Sequence, residues 1–238
     1  KDAAMTQHSV VSHEEWVEAR KAFLAKEKEF SRLRENISQA RRDLPWERVD
    51  ADYVFTGPDG EEKLSDLFAG QSQLIVYHFM YGADWEAGCK SCSYMADHFN
   101  PAIVHLNARG ISMVAASNAP LDKLDTFKAR MGWSFKWVSS MGSMFNRDYS
   151  GSFTQEEIDS GAVYYNYKDQ SFPMSEAPGV SVFFKDDDSA IYHTYSAYAR
   201  GLDPMLTAYQ YMDLAPKGRD EAEVPYSMAW VTHHDSYD

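Results

Sequence analysis

A nearly continuous apolar run, Leu74 to Phe79, is followed after a short loop by two cysteines in the order Cys89-Lys90-Ser91-Cys92. The run has the length of a strand and is broken only by His78, so it suits a central strand covered on both faces. Beyond the cysteines, Cys92, Ala96, Phe99, Ile103 and Leu106 are spaced four, three, four and three. That period puts one apolar stripe on a helix from about Lys90 to Ala108, which Pro101 is expected to kink. A buried strand, a loop containing Asp84 and Trp85, and a helix that opens on two thiols are thereby set side by side.

The rest of the pattern extends this unit. Tyr53 to Phe55 reads as a short strand, followed by a turn at Gly57 to Gly60 and a helical turn ending near Phe68. Ile111 to Ala116 reads as a second buried strand. Leu121, Leu124, Phe127 and Met131 mark a helix capped by Gly132. Val180 to Phe184 and Ala190 to Tyr195 read as a hairpin, and Met205 to Leu214 as a last helix ended before Pro216. Strands that alternate with helices imply a parallel sheet, and the closing hairpin adds antiparallel strands. The fold class expected is α/β: a thioredoxin-like central mixed sheet flanked by helices, with an insertion at about 139–178 before the closing hairpin. Inside that insertion Thr154 to Glu157 has the form of a capping box.

Residues 10–45 form a separate segment. Ser12 to Glu15 reads as a capping box, and Trp16, Phe23, Phe30 and Ile37 recur every seven residues on one long helix that should stop near Leu44, ahead of Pro45. Its stripe is suited to packing on its own domain or to a homodimer contact, and Lys26 within it argues against a long coiled coil. Residues 46–238 then carry the α/β domain, the insertion and a C-terminal tail.

Composition narrows the function classes. A formal net charge of −13 argues against a nucleic-acid groove and against docking on an anionic membrane. The longest apolar run is far short of a membrane span, and the N-terminus shows no apolar segment of a secretory leader. Lys1 to Ala4, before Met5, read as vector-derived. Only two cysteines are present, three positions apart, which is no disulfide framework. A cytoplasmic, reducing setting is therefore expected, in which a close cysteine pair serves catalysis or metal binding.

At a helix N-terminus, free N–H groups and the dipole favour a negative charge, so Cys89 is expected to be the attacking thiolate, with the Lys90 ammonium adding charge nearby. Cys92, within the first turn, is placed to resolve a mixed disulfide. The segments Gln73 to Met80, Asp84 to Ser93, Tyr192 to Gly201 and Met228 to Asp235 resemble a bacterial thioredoxin-like family catalogued as a domain of unknown function. The resemblance covers nearly the whole chain from about Val10 and implies the fold; it carries no established reaction. The chain departs from better-known relatives at three places. Thioredoxins carry Trp-Cys-Gly-Pro-Cys, whereas Gly88 precedes Cys89 here and Lys90-Ser91 separate the thiols. Peroxiredoxins carry Pro and Thr where this chain has Gly82 and Glu86. Gly179, after Pro178, stands where thioredoxins place a cis-proline.

The eight histidines open a second reading. Two thiolates with imidazoles would suit copper or zinc, and His193, His233 and His234 are the candidates to join Cys89 and Cys92. Trp85, Tyr195 and Arg200 are candidates for a substrate pocket, with Arg200 on an anionic group. The leading expectation is a thiol–disulfide oxidoreductase acting on a small thiol or a protein disulfide. The alternatives are a copper or zinc protein using the same cysteines, and a non-catalytic dimeric scaffold.

Overall fold

A computed structural model describes residues 8–237 of the chain, so Lys1 to Ala4 lie outside the described residues. The chain divides into two units, 1–45 and 46–238. The first is built on one helix, α1 (His13–Arg42). Its start follows from local chemistry. The Glu15 N–H donates to Ser12 Oγ (3.2 Å), and the Ser12 N–H donates to the Glu15 carboxylate (2.9 Å), which satisfies donors the helix cannot pair internally. Glu14 and Glu15 in the first turn and Arg41 and Arg42 in the last complement the helix dipole. The helix ends at Asp43, two positions before Pro45. Trp16, Phe23, Phe30 and Ile37 are all at least half exposed.

The second unit is built on an eight-stranded sheet. Its strands are β1 (Glu47–Arg48), β2 (Val54–Gly57), β3 (Gly60–Lys63), β4 (Gln73–His78), β5 (Ile111–Ser117) and β6 (Lys136–Ser139). A small separate hairpin follows, β7 (Val163–Tyr165) with β8 (Lys168–Gln170), and then come β9 (Gly179–Lys185) and β10 (Ile191–Tyr198) of the main sheet. The helices of this unit are α2 (Lys90–Phe99), α3 (Ile103–Asn107), α4 (Leu121–Arg130), α5 (Phe145–Asp148), α6 (Gln155–Ser160) and α7 (Thr207–Met212). The sheet order is β1-β10-β9-β4-β5-β6-β2-β3. β4, β5 and β6 run parallel, joined by α2–α3 and by α4, while β9 runs antiparallel beside β4 and β10 runs antiparallel to β9. A βαβαβ run closed by an antiparallel hairpin on the far side of its first strand is the thioredoxin-like fold.

Alternation along β4 assigns its side chains to two layers. Leu74 and Val76 join Phe55, Phe68, Phe145 and Phe183 on one face. Ile75, Tyr77 and Phe79 join Cys92, Phe99, Phe127 and Trp137 on the other. The long helix expected after the cysteines is interrupted at the expected place: a 3-10 turn, Asn100–Ala102, holds Pro101 and separates α2 from α3. Two features are added and one expectation is corrected. β6 is a strand that the pattern did not reveal. Besides the expected helical turn, which is α6, the span at 139–178 holds α5 and the β7–β8 hairpin. The last helix shortens to α7, because Ala199–Met205 is a 3-10 segment containing Pro204. The capping box at Thr154 is present.

Gly179 opens β9 opposite His78. A Cβ there would stand 2.7 Å from the Tyr198 ring, so only glycine lets the two strands and that ring close up. There is no cis peptide bond among the described residues, and Pro178 is therefore trans.

One carboxyl is buried in the fold. Glu176 is 2 % exposed and accepts from Ser152 Oγ (2.6 Å) and Asn118 Nδ2 (3.1 Å). Burial outweighs these donors and raises its pKa to about 7. Its unfolded counterpart titrates near 4.3, so between those values the folded chain holds the extra proton and stability falls as pH rises. Glu176→Gln should remove this part of the decline. Urea unfolding at pH 5 and pH 8 should show the wild type losing on the order of 1–3 kcal/mol more than the variant across the interval.

Candidate active site

Cys89 is the N-cap of α2, with extended backbone before the helix begins. Gly88 permits the approach, because a Cβ there would lie 2.7 Å from the Phe127 ring and 2.8 Å from the Phe79 ring. Two hydrogen bonds tie the helix start to the end of β4. The Cys89 N–H donates to the Met80 carbonyl (3.1 Å), and the Met80 N–H donates to Cys92 Sγ (3.4 Å). Cys92 is fully buried and Cys89 half-buried, and both thiols are free.

The two sulfurs are electrostatically unequal. The Cys92 thiol donates a hydrogen bond to Cys89, and the Cys92 and Ser91 N–H groups add two more, which together lower the Cys89 pKa against the opposing effect of burial. These amides are the free donors of the helix N-terminus. Burial pushes the Cys92 thiol up, and its bond to Cys89 pushes it further. Tyr77 hydrogen-bonds Cys92 in turn. Both shifts favour the charge on the outer sulfur, Cys89, whose pKa falls to about 7. The lowering thus comes from hydrogen bonds; Lys90, expected to contribute, is exposed at the first helical position.

Both cysteines line a cavity of about 270 Å3. Met80, Met95, Met228, Leu202 and Leu206 form much of its wall, and Pro178 and Arg200 complete the side toward β9 and β10. A larger groove, about 520 Å3, runs beside α4 past Asp122, Lys123 and Arg130 and reaches neither thiol.

Of the residues singled out in the sequence, Cys89, Cys92 and Arg200 meet at this cavity. Trp85 and Tyr195 pack against the same core layer but do not line the cavity. The histidines do not converge on the sulfurs. His193 lies in the opposite layer, against Phe183 and Tyr149. There it is the end of a row of hydrogen bonds: His78 Nε2 to Ser181 Oγ (2.9 Å), Ser181 Oγ to Ser196 Oγ (2.9 Å), and Ser196 Oγ to His193 Nε2 (2.7 Å). Burial lowers the His78 pKa to about 4, so it is neutral at pH 7. His234 bonds Asp97 through Nδ1 (2.7 Å). His233 is buried and donates from Nε2 to the Gly88 carbonyl (2.9 Å), while Arg130 Nη2 stands 3.4 Å from its Nδ1. Among the described residues no three His, Cys, Asp or Glu side chains are placed to hold a metal ion. The structure does not bring Cys89 and Cys92 together with His193, His233 and His234: His193 lies across the sheet, and His233 and His234 hydrogen-bond the Gly88 carbonyl and Asp97. Two residues at the site escaped the sequence reading. Tyr77 faces the thiols because it has the parity of Phe79, and His233 braces the residue before Cys89.

Fold and site together define a thioredoxin-like protein with a Cys-x-x-Cys pair at a helix N-terminus. The chain belongs to the family described as bacterial protein of unknown function (DUF899), whose model matches residues 5–237. No curated protein matches it. Among solved structures it is similar to the peroxidoxin BcpB of Mycobacterium tuberculosis, at 15 % identity over 70 % of this chain and 96 % of the other, with a TM-score of 0.45. It is also similar to peroxiredoxin Q from Xanthomonas campestris, at 15 % identity over 71 % and 98 %, with a TM-score of 0.47. A third is a Chlorobium tepidum protein put forward as thiol:disulfide interchange protein DsbE, at 15 % identity over 69 % and 97 %, with a TM-score of 0.40.

The unequal pair makes a direct prediction. Donors to a thiolate favour the charged form, so Cys92→Ala should raise the midpoint of Cys89 alkylation toward the roughly 8.5 of a free cysteine. Cys92→Ser, which keeps a donor, should stay closer to the wild type. Iodoacetamide rates against pH, followed by mass spectrometry, read both midpoints.

Proposed function

We propose that the protein is a thiol–disulfide oxidoreductase in which Cys89 is the nucleophile and Cys92 the resolving thiol. The observation that carries this reading is the placement of a half-buried Cys89 at the N-terminus of α2 and a fully buried Cys92 in its first turn, both lining one cavity. It keeps the more accessible sulfur ionised and the buried one protonated until needed.

In the reducing direction the Cys89 thiolate attacks a disulfide RS–SR′. A bond forms between Cys89 Sγ and the sulfur of RS, the S–S bond of the substrate breaks, and R′S⁻ leaves. Cys92 then gives up its proton and attacks Cys89 Sγ. The Cys89–Cys92 disulfide forms, and RS⁻ leaves and takes up that proton as RSH. The substrate is reduced by two electrons and the dithiol is oxidised by two; an external dithiol returns the enzyme to its starting state. The Met80 N–H and the Tyr77 hydroxyl both bond Cys92 Sγ, so they stabilise the thiolate that forms there in the second step.

With Cys92→Ser the second step is blocked. Oxidised 2-mercaptoethanol should therefore leave a stable adduct on Cys89 of the variant, whereas the wild type should form an internal disulfide and lose two hydrogens. Cys89→Ser should show neither product. Intact-mass spectrometry distinguishes the three. A wild type that forms no internal disulfide, together with a Cys92→Ser variant that gains no adduct, would remove the exchange mechanism.

A further inference from the structure

The cavity in front of the thiols has a composition that selects its occupant. Its volume, about 270 Å3, falls just below the roughly 300–1,000 Å3 of pockets for drug-sized ligands. Cys89 is half-buried in the wall of this recess, so a disulfide must enter the recess to reach it. That favours a small molecule over the disulfide of a folded protein.

The wall is apolar and adaptable. Three methionines, Met80, Met95 and Met228, face the cavity with Leu202 and Leu206. Unbranched thioethers conform to varied apolar shapes. Among the described residues no carboxylate and no histidine lines the space. Such a wall offers little to a peptide-like disulfide rich in amides and charges, whose polar groups would be desolvated without partners.

One charge stands at this wall. Arg200 lies in the 3-10 segment that follows β10, just after Ala199, whose backbone is left-handed (φ 48) and whose N–H donates to Tyr165 Oη (3.0 Å). That anchored bend carries the chain along the cavity. Asp203, three positions further, is already held by the Arg219 guanidinium at 2.5 and 2.9 Å, and Arg200 acts on it only through space. Among the described residues Arg200 has neither an ion pair nor a hydrogen bond. A guanidinium that is exposed, without a contact partner and beside an apolar cavity is suited to a carboxylate or similar planar anion. The chain's net charge of −13 gives anions no general attraction, so recognition has to be local.

We infer that the substrate is a small amphipathic disulfide, with an apolar body against the methionines and an anionic terminus on Arg200. The inference rests on the dithiol reading and names the substrate class for that same site. Three probes separate the two: the disulfide of 6-mercaptohexanoic acid, the same disulfide with both carboxylates converted to primary amides, and bis(2-hydroxyethyl) disulfide. The measurement is the second-order rate of wild-type oxidation, read as loss of free thiols, for each probe and for Arg200→Gln and Arg200→Lys.

The wild type should oxidise fastest with the carboxylate probe and slowest with the hydroxyethyl probe. Arg200→Gln should cut the carboxylate-to-amide rate ratio about tenfold or more, the scale of a lost charge-assisted hydrogen bond, and Arg200→Lys should restore part of it. An unfolding midpoint for each variant shows that the fold is kept. A rate ratio unchanged by Arg200→Gln, or a hydroxyethyl probe as fast as the carboxylate one, overturns the substrate class while leaving the dithiol reading intact. If no probe oxidises the wild type, the dithiol reading falls and the substrate class falls with it.

Discussion

Met80 joins the sheet to the chemistry. Its N–H donates to Cys92 Sγ and its carbonyl accepts from the Cys89 N–H, so the loop between β4 and α2 is closed by bonds to both cysteine residues. β4 is held in turn by β5 on one side and β9 on the other. The loop therefore starts from a fixed point and returns to it. Gly88 lets the returning backbone pass between the Phe79 and Phe127 rings. Were either end free, Cys89 would not sit at the N-terminus of α2 with the Ser91 and Cys92 amides directed at its sulfur. The lowered pKa of the outer thiol thus follows from how a strand is paired.

The two layers of the unit divide the polar side chains between different tasks. On the face with the thiols, Tyr77, Cys92 and Cys89 shift one another's ionisation. On the opposite face His78, Ser181, Ser196 and His193 satisfy one another. Buried polar groups need partners, and here the two sets are kept apart by the sheet itself. Adjacent residues of one strand, Tyr77 and His78, belong to different sets for no reason other than the pleat.

That same pleat explains how much could be read in advance. The strand, the cysteine pair and the helix after it were legible because each has a short-range signature: an apolar run, a spacing, a 3.6-residue stripe. Both capping boxes were legible for the same reason. β6 was not, because Lys136-Trp137-Val138-Ser139 is short and polar at both ends, and only its pairing with β5 and β2 makes it a strand. Whether histidines meet the cysteines is not legible in the sequence, because convergence depends on the whole fold. His193 occupies a hairpin near the cysteines in topology and lies across the sheet from them in space. Tyr77 was overlooked inside an apolar run, although counting by twos from Phe79 would have put it on the thiol side. Arg200 lines the cavity, whereas Trp85 and Tyr195, candidates on the same grounds of residue type and neighbourhood, pack beside it.

The bond from His233 to the Gly88 carbonyl spans 145 positions of sequence. Every other element that shapes the cysteine loop, β4, α2 and the rings of Phe79 and Phe127, leaves the ribosome well before it. The backbone immediately before Cys89 is therefore completed by a residue that the chain contributes only 145 positions later. A chain clipped before His233 would carry the same two cysteines in the same order without the donor to the Gly88 carbonyl.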